Sequence, residues 1–359
     1  MLKIFFNKIK EIYINRVLMK IRPTYIAQRR IESYVKSKIN GVHNKQEYLF
    51  WVSQHQDGET MMETKKRVFA SLPRAEGVLR GIQQQAFTIL CEIDRICHQN
   101  NINYWVMGGT IVGSIRHGGF VPWDDDVDLG MMRRDFDALK KLLESSDKLE
   151  IIDFYNFKGL YRIPKICIKN SPEKLAIDII VFDYDVCSHY QLPENANREE
   201  QFDIVWNEQI PMRKKYSKKL KSLKLQYLDV VKTDIVRNPK KLDKITKITN
   251  KYVKKCDYAY DDGDYIIWGV DNFTSKAPDK RRVYLKDDIF PLCEIEFEGK
   301  KFKAPKKYNE MIVRELGNIW SFPNDAGNPK FFNDTQLEEI YNNNKQAMEN
   351  VGLALEELK

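Results

Sequence analysis

The sequence predicts an α/β (α+β) fold: a mixed sheet core flanked by helices, with a helical N-terminal extension and a helical insertion. Three observations carry this. Short apolar runs of strand length alternate with segments of helical period through residues 81–190. A Gly-Gly pair, Gly108-Gly109, directly follows the apolar run Tyr104-Trp105-Val106-Met107. Residues 191–260 then lose the strand pattern and become rich in Lys and Arg.

Taken in order, Leu2 to Ile21 places Leu2, Phe5, Phe6, Ile9, Ile12, Tyr13 and Val17 among Lys3, Lys8, Lys10, Arg16 and Lys20, a basic amphipathic helix that Pro23 ends. Such a helix can lie on an anionic membrane surface or pack against protein. Further helix follows to residue 80, broken near Gly41 and Asp57-Gly58. Val78 to His98 reads as a helix with Ile82, Phe87, Leu90, Ile93 and Ile96 as its apolar positions, leading into the strand that ends at Met107. Val127 to Met131 is a second strand, and Arg134 to Leu143 a helix. Strands at 151–155, 161–166 and 177–181 complete the sheet, the second bringing Arg162 and Lys165 near Asp178. Residues 190–256 are mainly helical, with Trp206, Tyr216, Leu220, Leu223 and Tyr227 at core spacing. Asp334 to Leu358 is a helix, with Thr335 and Glu338 in a capping arrangement. The division is therefore a helical extension at 1–80, a catalytic core at 81–190, a basic insertion at 191–260 and a distal region with a C-terminal helix at 261–359.

The chemistry concentrates around the glycine pair. Gly108 and Gly109 let the backbone turn tightly and approach a ligand without a Cβ in the way, and Thr110 can cap the helix that starts there. Backbone N–H groups at a helix start face anions. In Trp123-Asp124-Asp125-Asp126-Val127-Asp128, four aspartates occupy five positions and repel one another, so a counter-ion is expected. Asp126 and Asp128 share one face of the following strand, about 6.6 Å apart. Asp125 points to the other face and suits a turn or capping role. Hard oxygen ligands suit Mg²⁺ or Mn²⁺ held together with substrate phosphates. The pattern implies metal-dependent phosphoryl-group transfer. Arg116 is a phosphate clamp or a structural ion-pair partner of the acids; His117 is a ligand contact or a loop residue, and Trp123 a stacking platform or an anchor of the acidic loop.

The stretch from Gly108 through Gly118-Gly119-Phe120-Val121-Pro122-Trp123 to Asp128 resembles the signature of the LicD family, shared by its fukutin relatives within the nucleotidyltransferase-fold superfamily. Val112 stands where Leu is common. A later family carboxylate is matched by Asp178 in Ala176-Ile177-Asp178-Ile179-Ile180-Val181, where Ile180-Val181 departs from the usual Phe-Pro and leaves Asp183 as the alternative. Residues 289–317 resemble the distal region, a strand pair followed by a Pro-x-x-Tyr helix, although Glu315-Leu316-Gly317 lacks the usual Tyr before Gly.

The resemblance implies a nucleotidyltransferase-like core and a transferase that moves a phospho-alcohol, phosphocholine from CDP-choline first, onto a sugar hydroxyl of a teichoic acid, lipopolysaccharide or capsule precursor, with release of CMP. Asp126, Asp128 and Asp178 would be the catalytic and metal-binding residues; Gly108, Gly109, Thr110 and Arg116 would bind the donor. Glycerol phosphate, ribitol phosphate and phosphoethanolamine are alternative cargoes, and an inactive nucleotide-binding scaffold is a further reading. A glycan or lipid-linked glycan is the expected acceptor, with no nucleic-acid partner.

With 359 residues, 43% of them hydrophobic and 12% aromatic, the chain can bury a sizeable core. The net charge of +8 comes from the N-terminus and from Met212 to Lys255, which marks either a polyanion or membrane contact or a solvated helix face. Six cysteines without C-x-x-C spacing argue against a zinc site and a disulfide scaffold. With no apolar run of membrane-spanning length, the expectation is a cytoplasmic protein, peripheral on the inner face of the plasma membrane if its N-terminal helix binds lipid.

Overall fold

A computed structural model describes residues 41, 44–156, 161–171, 176–185, 191–222, 246–251, 253–254, 262–272, 282–322 and 334–359. The basic amphipathic helix expected at Leu2 to Ile21 and the basic stretch around Leu223 and Tyr227 lie outside the described residues. The chain divides into two compact units, Met1–Val68 with Trp320–Asn324, and Phe69–Ile319 with Asp325–Lys359.

In the first unit, α1 (44–54) carries Trp51, whose ring stacks on Phe322 with centroids 5.4 Å apart. Thr60 and Glu63 form a reciprocal capping box at the start of α2 (Met61–Ser71): the Thr60 N–H donates to the Glu63 carboxylate at 2.7 Å, and the Glu63 N–H donates to Thr60 Oγ1 at 3.3 Å.

The second unit is built on a seven-stranded mixed sheet. Helix α3 (Gly77–Gln99) buries Ile82, Phe87, Leu90 and Ile93, as its period requires, and leads into β1 (Trp105–Met107). Helix α4 (Gly108–His117) follows without a loop, then β2 (Val127–Met132) and α5 (Arg133–Glu144). The hairpin of β3 (Leu149–Asn156) and β4 (Tyr161–Ile168) precedes β5 (Ala176–Asp185). The spatial order is β1-β2-β5-β4-β3, with β2 and β5 parallel and the other neighbours antiparallel.

Beyond β5 come α6 (Arg198–Ser222), β6 (Tyr265–Trp268) and β7 (Val283–Leu285). Phe182 of β5 pairs with Met132 of β2 and with Trp268 of β6, so β6 continues the edge of β5 that β4 occupies further back. A short helix α7 (Lys286–Ile289), the hairpin of β8 (Cys293–Phe297) and β9 (Lys300–Ala304), and α8 (Tyr308–Leu316) form the distal region. Helix α9 (Asp334–Asn350) stops well short of Leu358, where a helix was expected to run, and rests its Tyr341 ring over Gly81 of α3.

Successive residues of a strand face opposite sides of the sheet. Asp183, five residues after Asp178, therefore leaves the face that carries Asp178. It accepts two hydrogen bonds from Arg133 at 2.6 and 2.7 Å, while Arg133 also reaches Asp271 at 2.9 Å. Arg162 extends the network to Asp271 at 2.8 Å and to Asp153. Asp183, Asp271 and Arg133 are almost wholly buried, so each charge rests on its partners. Arg162, expected beside Asp178, thus serves the opposite face; Lys165 alone of the two reaches it.

Candidate active site

One register row crosses the sheet at the start of α4. Lys165 of β4 pairs with Asp178 of β5, Asp178 with Asp128 of β2, and Asp128 with Met107 of β1. Register partners project to the same side, so a cation, two carboxylates and the N-terminus of α4 stand in line, each about 4.8 Å from the next. Lys165 and Asp178 are joined directly by a hydrogen-bonded ion pair. Both are partly open, their side chains 18% and 16% exposed, as groups facing a ligand must be.

The glycines explain how the helix comes so close. Gly108 sits at φ +56°, and a Cβ there would lie 2.3 Å from Asp128 Oδ2; a Cβ on Gly109 would lie 2.5 Å from Asp124 Oδ2. The two carboxylates occupy the space that side chains would fill. Thr110 has a different role from the cap expected of it: the helix begins two residues earlier, and Thr110 Oγ1 accepts from the Asp128 N–H at 3.1 Å, tying α4 to the acidic strand.

Asp124, Asp125 and Asp126 bring one carboxylate oxygen each within 4.8 Å of one another. That arrangement could hold a metal ion. The strand alternation that put Asp125 on the other face begins only at Val127. In the loop before it the chain turns, with the Asp124 N–H donating to Val121 O at 3.0 Å and Gln83 Nε2 to Asp124 O at 2.8 Å. Asp128 and Asp178 are outside this close set but within its field. Burial pushes the Asp126 carboxyl well above the usual range, and Asp128, Asp124, Asp178 and Asp125 push it further. Asp128 is raised to about 7, first by burial and then by Asp178 and Asp124, against the pull of Arg282 and Lys165. Burial disfavours the Lys165 ammonium, but Asp178, with help from Asp126 and Asp128, holds its pKa above the ordinary lysine value. Crowded carboxylates of this kind are poised to exchange protons for a divalent cation.

Among the described residues Arg116 makes no ion pair with the acids. Its guanidinium lies 3.6 Å from the Phe69 ring centroid and 5.9 Å from that of Trp123, 6% exposed, and burial lowers its pKa to about 10. Its Nε and Nη2 have no hydrogen-bond partner among the described residues. His117 Nδ1 lies 2.9 Å from Phe69 O, and burial drives its pKa down to about 4, so the ring is neutral. Its ring meets Trp123 edge to face at 6.3 Å. Trp123 is thereby part of the packing that holds the acidic loop.

Sequence reasoning missed Glu298. It stands at the tip of the β8–β9 hairpin, 3% exposed, where it accepts from Arg80 at 2.9 Å and from the Phe120 N–H at 2.9 Å, and its own N–H donates to Gly118 O at 3.0 Å. The hairpin so grips the loop that leads into the acidic block. Glu298-Gly299 both have positive φ, 47° and 78°, which a tight hairpin turn demands; no local signal revealed the partners, which are about 180 to 220 residues away.

Residues 101–230 match the family described as LicD/FKTN/FKRP, nucleotidyltransferase domain. The chain is 43% identical over 58 residues, 16% of its length, to the lipopolysaccharide cholinephosphotransferase LicD of Haemophilus influenzae (strain ATCC 51907 / DSM 11121 / KW20 / Rd), covering 22% of that protein. It is 44% identical over 41 residues, 11% of its length, to the human ribitol 5-phosphate transferase FKRP, covering 8% of it. An uncharacterized protein of Rickettsia prowazekii (strain Madrid E) is 35% identical over 63 residues, 18% of this chain and 24% of that one. The matched stretches span about a quarter or less of these curated relatives. Strand β1, the Gly-Gly start of α4, the acidic loop and the Asp178 strand all fall inside the matched stretch, and residues 101–230 belong to the LicD/FKTN/FKRP nucleotidyltransferase domain family.

Proposed function

We propose that this chain is a metal-dependent transferase that moves a phospho-alcohol from a CDP-alcohol, CDP-choline first, onto a sugar hydroxyl of a cell-surface glycan precursor. The observation that supports the reading is the seating of Asp128 and Asp124 against Gly108 and Gly109 at the start of α4, with Asp178 the register partner of Asp128 and Asp126 within 4.8 Å of Asp124. The named activity of the LicD relative supports phosphocholine as cargo, and that of the FKRP relatives supports ribitol phosphate as the second reading.

The donor set fits Mg²⁺ or Mn²⁺, since Asp124, Asp125 and Asp126 bring hard oxygens within 4.8 Å of one another and Asp128 and Asp178 add to a mutual repulsion that a cation would relieve. Bound there, such a cation supplies charge neutralisation to the donor phosphates and the departing CMP. The chain's own residues do the rest. The backbone N–H groups of Gly108, Gly109 and Thr110 begin the helix without a side-chain cap and donate to phosphate oxygens at its positive end. Asp178 accepts the proton of the acceptor hydroxyl while that oxygen attacks phosphorus; the bond from phosphorus to CMP breaks, and CMP leaves with the electron pair. Catalysis rests on positioning and electrostatics.

The proposed domain layout keeps this chemistry in residues 81–190 and gives the basic insertion to the anionic acceptor. Incubation with Mg²⁺ or Mn²⁺ and CDP-choline, CDP-ribitol, CDP-glycerol or CDP-ethanolamine, followed by chromatography of CMP, tests the reading. CMP release from one donor and not the others identifies the cargo; metal-independent release, or none from any donor with a sugar acceptor present, contradicts the assignment.

A further inference from the structure

We propose that Lys165 is a phosphate-binding residue of this site, paired with Asp178 until an anionic donor arrives and then a direct partner of a donor phosphoryl oxygen. The inference rests on the proposed CDP-alcohol reaction for the identity of the donor, but on the sheet for its geometry.

Lys165 is fixed by register. Its backbone pairs with that of Asp178, and its side chain leaves the sheet on the side that carries Asp178 and Asp128. The ammonium bonds to the Asp178 carboxylate and remains partly open to solvent. A cation meant for structure alone would resemble Arg133, whose side chain is 2% exposed and closed off by two carboxylates on the opposite face.

The charge count argues the same way. Asp124, Asp125, Asp126, Asp128 and Asp178 bring five carboxylates to one end of the sheet, and a diphosphate donor adds further negative charge. One divalent cation leaves a deficit. Fixed positive charge beside the metal favours such a donor, and Arg282 as well as Lys165 acts on Asp128 here. The α4 N-terminus supplies a partial charge at one end of the row, and Lys165 a full charge at the other. A lysine suits this place because its flexible stem carries a compact ammonium with three donors, able to keep one hydrogen bond to Asp178 while offering another to phosphate.

A role confined to Asp178 gives different kinetics, so the test compares Lys165→Met with Lys165→Arg. Three readings are taken on the full chain: donor KM, kcat, and Mn²⁺ affinity without donor by electron paramagnetic resonance. Lys165→Met should raise the donor KM by about tenfold or more. Its Mn²⁺ affinity should be unchanged or tighter, because a cation beside the metal ligands has gone. Lys165→Arg should recover donor KM to within about threefold. An unchanged donor KM in Lys165→Met, or weakened Mn²⁺ binding with donor KM intact, overturns the proposal. If Lys165→Met does not fold by circular dichroism, Lys165→Arg and Lys165→Gln carry the same comparison. If the unsubstituted protein turns over no CDP-alcohol, the proposed reaction fails while Lys165 can still be read: calorimetric binding of inorganic pyrophosphate with Mn²⁺ should be about tenfold weaker in Lys165→Met, and equal binding refutes the assignment.

Discussion

Asp128 and Asp178 are register partners on adjacent parallel strands; Asp178 raises the cost of charging Asp128, and both raise that of charging Asp126. An antiparallel neighbour, Lys165, sits on the far side of Asp178 in the same row. The sheet therefore holds two like charges one strand apart, an arrangement that costs stability in the metal-free chain and is relieved by a divalent cation.

That cost has a pH signature. Below about pH 4 the folded and unfolded chains both hold the Asp128 proton; between about 4 and 7 the unfolded chain releases it and the folded chain keeps it. Stability contributed by this group is thus lost as pH rises through that window. Thermal melts in chelator should show a fall in Tm over this range that is smaller in Asp128→Asn. Mn²⁺ affinity should rise from pH 6 to pH 8 with proton release. Identical melting profiles for the two proteins would show that Asp128 does not titrate there.

The two glycines separate strain from site chemistry. Gly108→Ala meets both a positive φ and the Asp128 carboxylate, so it should cost about 1–2 kcal/mol of stability as well as metal binding. Gly109→Ala has ordinary helical backbone, and its Cβ meets only Asp124 Oδ2 among its near contacts. Melting near the parent temperature with weakened Mn²⁺ binding is the expected result for Gly109→Ala. A loss of fold with intact metal affinity would reverse the interpretation.

Asp178 and Asp183 should part company in the same way. Asp183→Ala leaves Arg133 short of a buried partner and should destabilise the fold by about 3–5 kcal/mol. Asp178→Asn should melt normally and lose turnover by about 100-fold or more. Denaturant titration beside CMP release distinguishes them; equal stability losses would place both carboxylates in the framework.

Local features of the chain made much of this legible. The apolar run, the glycine pair and the acidic strand are contiguous, so their order predicted β1, α4 and β2 within a residue or two. The mixed α/β sheet followed from the strands at 149–185. What sequence could not show was set by contacts between distant segments. Thr110 turned from a cap into a tie because β2 returns beside α4, and Asp125 joined the acidic cluster because the loop departs from strand alternation.

Glu298 is the clearest case of that kind, and it yields a prediction of its own. Glu298→Gln keeps the shape but removes the charge that meets Arg74 and Arg80, and should cost about 1–3 kcal/mol. Because the Phe120 N–H bond helps to set the acidic loop, Mn²⁺ affinity should fall as well. Urea titration together with Mn²⁺ binding checks both; a stability loss with unaltered metal affinity would confine Glu298 to packing.

The central claim is that the carboxylates around the α4 N-terminus form a metal-dependent transfer site, and single-turnover CMP release with saturating CDP-alcohol, Mn²⁺ and sugar acceptor tests it most directly. The unsubstituted chain should release CMP only with the metal, and Asp126→Ala and Asp128→Asn should each lose about 100-fold or more while melting at or above the parent temperature. Full CMP release by either variant with the metal still required would contradict it.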